Sequence, residues 1–142
     1  MITLTSLLIL YSTTVATMIG LDILWLAYLA REFYAKEMLA IRGTSIMMPT
    51  PLWIVPGLIV WAAMAAGLIY FVVLPTRALP VWRAVIEGAA LGAVIYTVYD
   101  FTNYMLIPNW SLTLTFVDIA WGTTLLAVTT GVSHLIARYL LR

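Results

Sequence analysis

The chain has 142 residues, of which 64% are hydrophobic and only 9% charged, with a net charge of +1 and a mean hydropathy of +1.06. A soluble domain carries about 25% charged residues, so polar side chains could not cover this sequence and water is excluded as the solvent for most of it. There is no cysteine and one histidine, His134, which excludes disulfides, iron–sulfur clusters, thiolate zinc sites and a bis-histidine haem. Neither a Gly-rich phosphate loop nor a G-x-S-x-G motif is present, so no cofactor is expected. The few basic residues are scattered, which argues against a nucleic-acid partner.

A membrane-crossing helix takes about 20 apolar residues, and four segments meet that length. They predict an all-α integral membrane four-helix bundle, a single membrane domain over 1–142. The first span covers about 3–30. Its only charge is Asp22 and no basic residue precedes Arg31, so it reads as a retained span rather than a secretory signal. The loop 31–51 follows, with Glu32 and Lys36 four apart and Tyr34, Met38 and Ile41 on another face. That pattern suits a short interfacial helix or, equally, a solvated extension of the first span. The second span covers about 52–74, with Thr50 as cap, Pro51 at the first helical position and Pro75 closing it. The third covers about 81–106, between Pro80 and Pro108, and the fourth about 112–137, with Ser111 or Asn109 as cap. The short connections 75–80 and 107–111 make spans 2–3 and 3–4 antiparallel neighbours. The alternation of a β-barrel is absent.

Four spans put both termini on one face, with Arg77, Arg83, Arg138 and Arg142, against Arg31, Lys36 and Arg42 on the other. Basic residues set orientation, so the expected location is a bacterial inner membrane with cytoplasmic termini. Tyr34, Trp53 and Trp110 at one end, and Trp82 and Tyr139 at the other, are candidate interfacial aromatics.

Four acids fall at membrane depth: Asp22, Glu87, Asp100 and Asp118. An aspartate at a helix centre costs roughly 2.5–3.5 kcal/mol on insertion scales, so the three aspartates are expected to face the bundle interior. Asp22, Asp100 and Asp118 each lie roughly 9–12 Å from the same face, at 1.5 Å per residue. Spans 1 and 4 repeat Asp-Ile-x-Trp, as Asp22–Trp25 and Asp118–Trp121. Residues i and i+3 share a helix face, so each indole is expected to donate to its own aspartate. On span 3, Gly88, Gly92, Tyr96 and Asp100 step by four, with Tyr99, Asn103 and Tyr104 thickening the stripe. Thr115, Asp118, Gly122, Thr129 and Ser133 make a second stripe on span 4. The candidate polar cluster is therefore Asp22, Trp25, Tyr96, Tyr99, Asp100, Asn103, Asp118 and Trp121. A purely structural role competes, because small-residue faces and buried polar bonds also hold membrane helices together. No Lys or Arg lies at that depth, so unless Arg31 folds back the acids must be protonated, share protons or hold a cation. A weaker cluster, Arg83, Glu87 and His134, sits near the opposite face, with a Glu87–His134 contact geometrically open. No metal site and no catalytic set are expected.

The segments Leu21–Leu26 with Phe33-Tyr34, Tyr99-Asp100-Phe101-Thr102-Asn103 and Thr113–Thr123 resemble a family of small bacterial membrane proteins labelled domain of unknown function 2177. The likeness spans the chain and implies a four-helix membrane protein. It singles out the same acids and supplies no reaction. The turn Ile107–Ser111 departs from it, with Asn109 and Ser111 where glycine and proline flank the tryptophan. Three functions fit. First comes a non-enzymatic accessory or structural subunit, or a lipid-binding component, of a larger membrane assembly, with membrane lipids and a protein partner or second copy as contacts. Second is a proton- or cation-linked transporter or ligand-binding protein using the aspartates. Third is a lipid-modifying enzyme with Asp100 and Asp118 as acid and base.

Overall fold

The structure, a computed structural model, describes residues 3–44 and 51–141, with the side chains of 51–53 outside the description. The candidate cap Thr50, the Trp53 side chain and Arg142 therefore lie outside the described residues. Helix α1, Leu4–Leu29, is α-helical to Leu24 and π-helical over Trp25–Leu29. Helix α2 is Arg31–Arg42. Helix α3 covers 51–76 as Pro51–Leu68, a π-helical Ile69–Val73 and a last turn Leu74–Thr76. Helices α4 (Val81–Leu106) and α5 (Leu112–Leu140) complete the chain. There is no strand among the described residues, and α1, α3, α4 and α5 are each long and apolar enough to cross a membrane. The fold is an all-α membrane bundle.

Helix ends follow side-chain chemistry. The Thr3 hydroxyl accepts the Ser6 N–H at 3.1 Å to start α1, and the Ser111 hydroxyl accepts the Leu114 N–H at 2.9 Å to start α5. Asn109, the other candidate cap, instead takes a left-handed backbone with φ 64. Asparagine is among the few residues that adopt this conformation readily, so it does there what a glycine would do. Pro75 does not close α3, which continues to Thr76. The proline ring clashes with the carbonyl four residues back, and the wider π turn at Ile69–Val73 absorbs it. At the end of α1 the Ala30 N–H reaches the Trp25 carbonyl at 2.8 Å. The chain bends at Ala30 (φ −116, ψ 13), so α2 is a separate helix and not an extension of α1. Gly43, at φ 71, ends α2 in the left-handed conformation.

The closest pairing is α4 against α5. A Cβ on Gly92 would collide with the Gly122 carbonyl, and one on Gly122 with the Tyr96 ring. Helix α5 also packs on α1. There the Thr14 hydroxyl donates to the Leu10 carbonyl at 2.7 Å, so in the buried 2.8 Å contact with Ser133 it is the serine that donates. Helix α1 meets α3 where the Tyr11 hydroxyl donates to the Ala62 carbonyl at 3.1 Å. Leu10, Met18, Leu68, Leu125 and Leu126 fill the space between these helices. The short helix α2 turns Tyr34, Met38 and Ile41 onto Leu114 and Trp110. The Glu37 carboxylate accepts from Ser111 at 2.8 Å, and the Asn109 amide donates to the Ala40 carbonyl at 3.3 Å. Helix α2 is thus fastened to the α4–α5 turn.

Two substitutions test this packing by thermal unfolding in detergent. Gly92→Ala forces α4 off α5 and should cost about 1–3 kcal/mol, the usual range for overpacking. Asn109→Ala should cost about 1 kcal/mol for an alanine held at positive φ, whereas Asn109→Gly should lose only the bond to Ala40.

Candidate functional site

Asp22 is the structural hub. It sits in α1 with 8% of its surface exposed. One carboxylate oxygen accepts the Trp61 indole N–H from α3 at 2.6 Å, and the other accepts the Trp121 indole N–H from α5 at 2.9 Å. A carboxylate brings about four acceptor sites and no donor of its own, so indoles on two other helices satisfy it and fix three helices at one level. The expected pairing within each helix is therefore corrected. Trp25 does not serve Asp22, and Trp121 does not serve Asp118. The Trp25 and Trp121 rings instead stack at 4.6 Å, 3° from parallel. The π turn that starts at Trp25 directs its indole N–H to the Tyr34 hydroxyl at 3.1 Å. Tyr34 in turn donates to Asp118 Oδ1.

Tyr34 thus carries α2 into the bundle, with 6% of its surface exposed. Burial, and next the adjacent Asp118 carboxylate, push the phenol pKa above its ordinary range. The phenol keeps its proton and acts as a donor.

Asp100 differs from the other two. It is fully buried, and neither oxygen has a donor when both it and Asp118 are counted as carboxylates. The neighbouring acid is Asp118 on α5. Two carboxylates cannot bond to each other, because each only accepts, so a hydrogen bond between these two would require a proton on one of them. Tyr96, its ring laid on Gly122, stands within electrostatic reach of Asp22, Asp118 and Asp100. The structure therefore brings together Asp22, Trp25, Tyr96, Asp100, Asp118 and Trp121. Tyr99 and Asn103 stand at the rim. The Tyr99 ring is 55% exposed and meets Trp110 edge-on at 6.2 Å, while the Asn103 Nδ2 is buried without an acceptor.

Two members of the centre were missed by sequence reasoning. Trp61 is the indole in the otherwise aliphatic and alanine-rich middle of α3, at a depth that matches Asp22, and depth was the available signal. Tyr34 lay on the recognised apolar face of α2, but the fold-back at Ala30 that turns this face onto α5 leaves no mark in the sequence. The second cluster does not assemble as expected. Arg83 pairs with Glu87 at 3.3 Å, one turn along α4 and half-exposed. His134 is fully buried and makes no contact with that carboxylate. Its Nε2 bonds the Thr76 carbonyl at 3.0 Å, so Nε2 carries the hydrogen, and its Nδ1 has no partner. Glu87 is satisfied on its own helix, while His134 faces the end of α3. Among the described residues no three carboxylates or imidazoles form a set that could hold a metal ion.

Removing single donors should be measurable in thermal unfolding. Trp61→Phe leaves one Asp22 oxygen without a donor and should cost about 1–3 kcal/mol. Asp22→Asn should cost more, because its amide would point N–H groups at an indole N–H. Tyr34→Phe should leave the four long helices folded but raise amide hydrogen exchange across α2 about tenfold, a loss of about 1.4 kcal/mol.

No curated protein and no solved structure matches the chain. The family described as predicted membrane protein (DUF2177) matches it over residues 7–135. With four helices of membrane length and a match that covers nearly all of the described bundle, the chain belongs to that family of predicted membrane proteins.

Proposed function

We propose that the protein is a small proton-linked transporter of a bacterial inner membrane, moving protons through the charge state of Asp22, Asp100 and Asp118. The observation that carries this reading is Asp100, fully buried, without a donor and facing Asp118. Asp22 has two indoles and Asp118 has Tyr34, so a structural role accounts for both. It does not account for Asp100, which needs a proton or a cationic group to be satisfied. Ionisable residues kept inside a membrane bundle mark ion and proton pathways. The acids lie at membrane depth, near the face that carries α2, and the termini lie on the cytoplasmic side. Helix α2 closes over the centre through Tyr34. The accessory-subunit reading that leads on composition alone gives Asp100 no task. The enzyme reading lacks a nucleophile beside the acids.

Proteoliposomes holding a pH-sensitive dye, under an imposed potassium diffusion potential, test the proposal. The parent protein should acidify the lumen, and Asp100→Asn or Asp118→Asn should reduce that flux at least about tenfold, the scale of losing a single proton-transfer group. A parent protein no different from empty liposomes would refute it. Variants that conduct like the parent would do the same.

A further inference from the structure

Among the described residues no hydrogen bond joins Asp22 to Asp100 or Asp118. Asp100 and Asp118 are neighbours across α4 and α5, whereas Asp22 is held on α1 by the Trp61 and Trp121 indoles. Tyr96 stands between the two groups. It lies four residues before Asp100 on α4, so the two share a helix face one turn apart. Its ring is laid on Gly122, where any Cβ would collide with it. Gly122 in turn follows Trp121, the residue bonded to Asp22, and lies one helical turn from Asp118. The phenol is thereby within electrostatic reach of Asp22 first, then of Asp118 and Asp100. Among the described residues its hydroxyl makes no hydrogen bond, whereas the Tyr34 hydroxyl is committed to Trp25 and Asp118.

We infer that Tyr96 is the proton relay between the Asp100–Asp118 pair and Asp22. The inference rests on the proton-linked reading of the three aspartates. A relay must take a proton on one side and release one on the other. The indoles that hold Asp22 only donate, while a phenol both donates and accepts. In the transfer, a carboxyl O–H of the pair breaks and its proton goes to the Tyr96 oxygen. The phenolic O–H breaks in the same step, and its proton forms an O–H bond on Asp22. One proton has moved, the phenol is restored and no electron changes hands. Asp22 has room for this donor, because a carboxylate offers about four acceptor sites and the indoles use two of them. The contact with Gly122 holds the ring in place, and rotation about the phenolic C–O bond turns the hydroxyl from one acid to the other.

Proton flux into the dye-filled proteoliposomes tests the relay with two variants beside the parent protein. Tyr96→Phe keeps the ring on Gly122 and removes the hydroxyl. It should lower the flux at least about tenfold, the scale of one proton-transfer group, while the carboxyl stretch of the Asp100–Asp118 pair persists in the infrared. Tyr96→difluorotyrosine keeps the hydroxyl and makes it more acidic. It should change the flux at least about threefold, because proton-transfer rates follow the acidity of the transferring group. A ring that merely packs would leave the flux unchanged, so this variant decides the matter if Tyr96→Phe does not fold. Parental flux in either variant would overturn the relay and leave the proton-linked reading intact. Loss of the carboxyl band together with the flux in Tyr96→Phe would do the same, since the phenol would then only hold the pair in place. A parent protein that does not conduct overturns both.

Discussion

A carboxylate inside an apolar bundle must find donors, and this chain offers its three aspartates at membrane depth no lysine or arginine at their level. The rest of the architecture follows from how neutral side chains meet that demand. Asp22 takes indoles from two other helices, so α1, α3 and α5 cannot rotate or slide independently without stranding a charge. Asp118 takes the phenol of Tyr34, which holds α2 against the bundle. The close approach of α4 to α5 at Gly92 and Gly122 then brings Asp100 to Asp118 with no donor left to give.

Much of this was legible in the residues. Hydropathy marked four spans, and counting residues from the helix ends put the three aspartates at one depth. Depth and face are set by a regular 1.5 Å rise and 3.6-residue turn, which the sequence carries directly. The partners were less legible because they depend on irregular backbone. Asp-Ile-x-Trp appears twice and suggests local pairs, yet both indoles reach across helices, Trp121 to Asp22 and Trp25 to Tyr34. The π turn at Trp25–Leu29 follows no proline or glycine within its own five residues, so nothing in the pattern announced that Trp25 would turn away. The left-handed Asn109 is the converse case. The departure from the resembling family at that turn was visible in the sequence, and the structure supplies its cause.

The two ends of the molecule are chemically opposed. One holds the three aspartates under α2, with aromatic donors to Asp22 and Asp118. The other holds Arg77, Arg83 and Arg138, with Glu87 paired to Arg83. His134 sits beneath this basic end as an anchor to the Thr76 carbonyl, tying α5 to the last turn of α3. The irregular turns sit at both ends too. One π turn redirects Trp25 toward Tyr34 beside the acids, and the other carries α3 past Pro75.

The proposed function requires a proton held between Asp100 and Asp118. Infrared difference spectroscopy on hydrogen–deuterium exchange reads a protonated carboxyl directly, through its carbonyl stretch. One such band is expected in the parent protein, lost in Asp100→Asn and in Asp118→Asn alike and retained in Tyr34→Phe. A parent spectrum without the band, or a band that survives both asparagine variants, would contradict it.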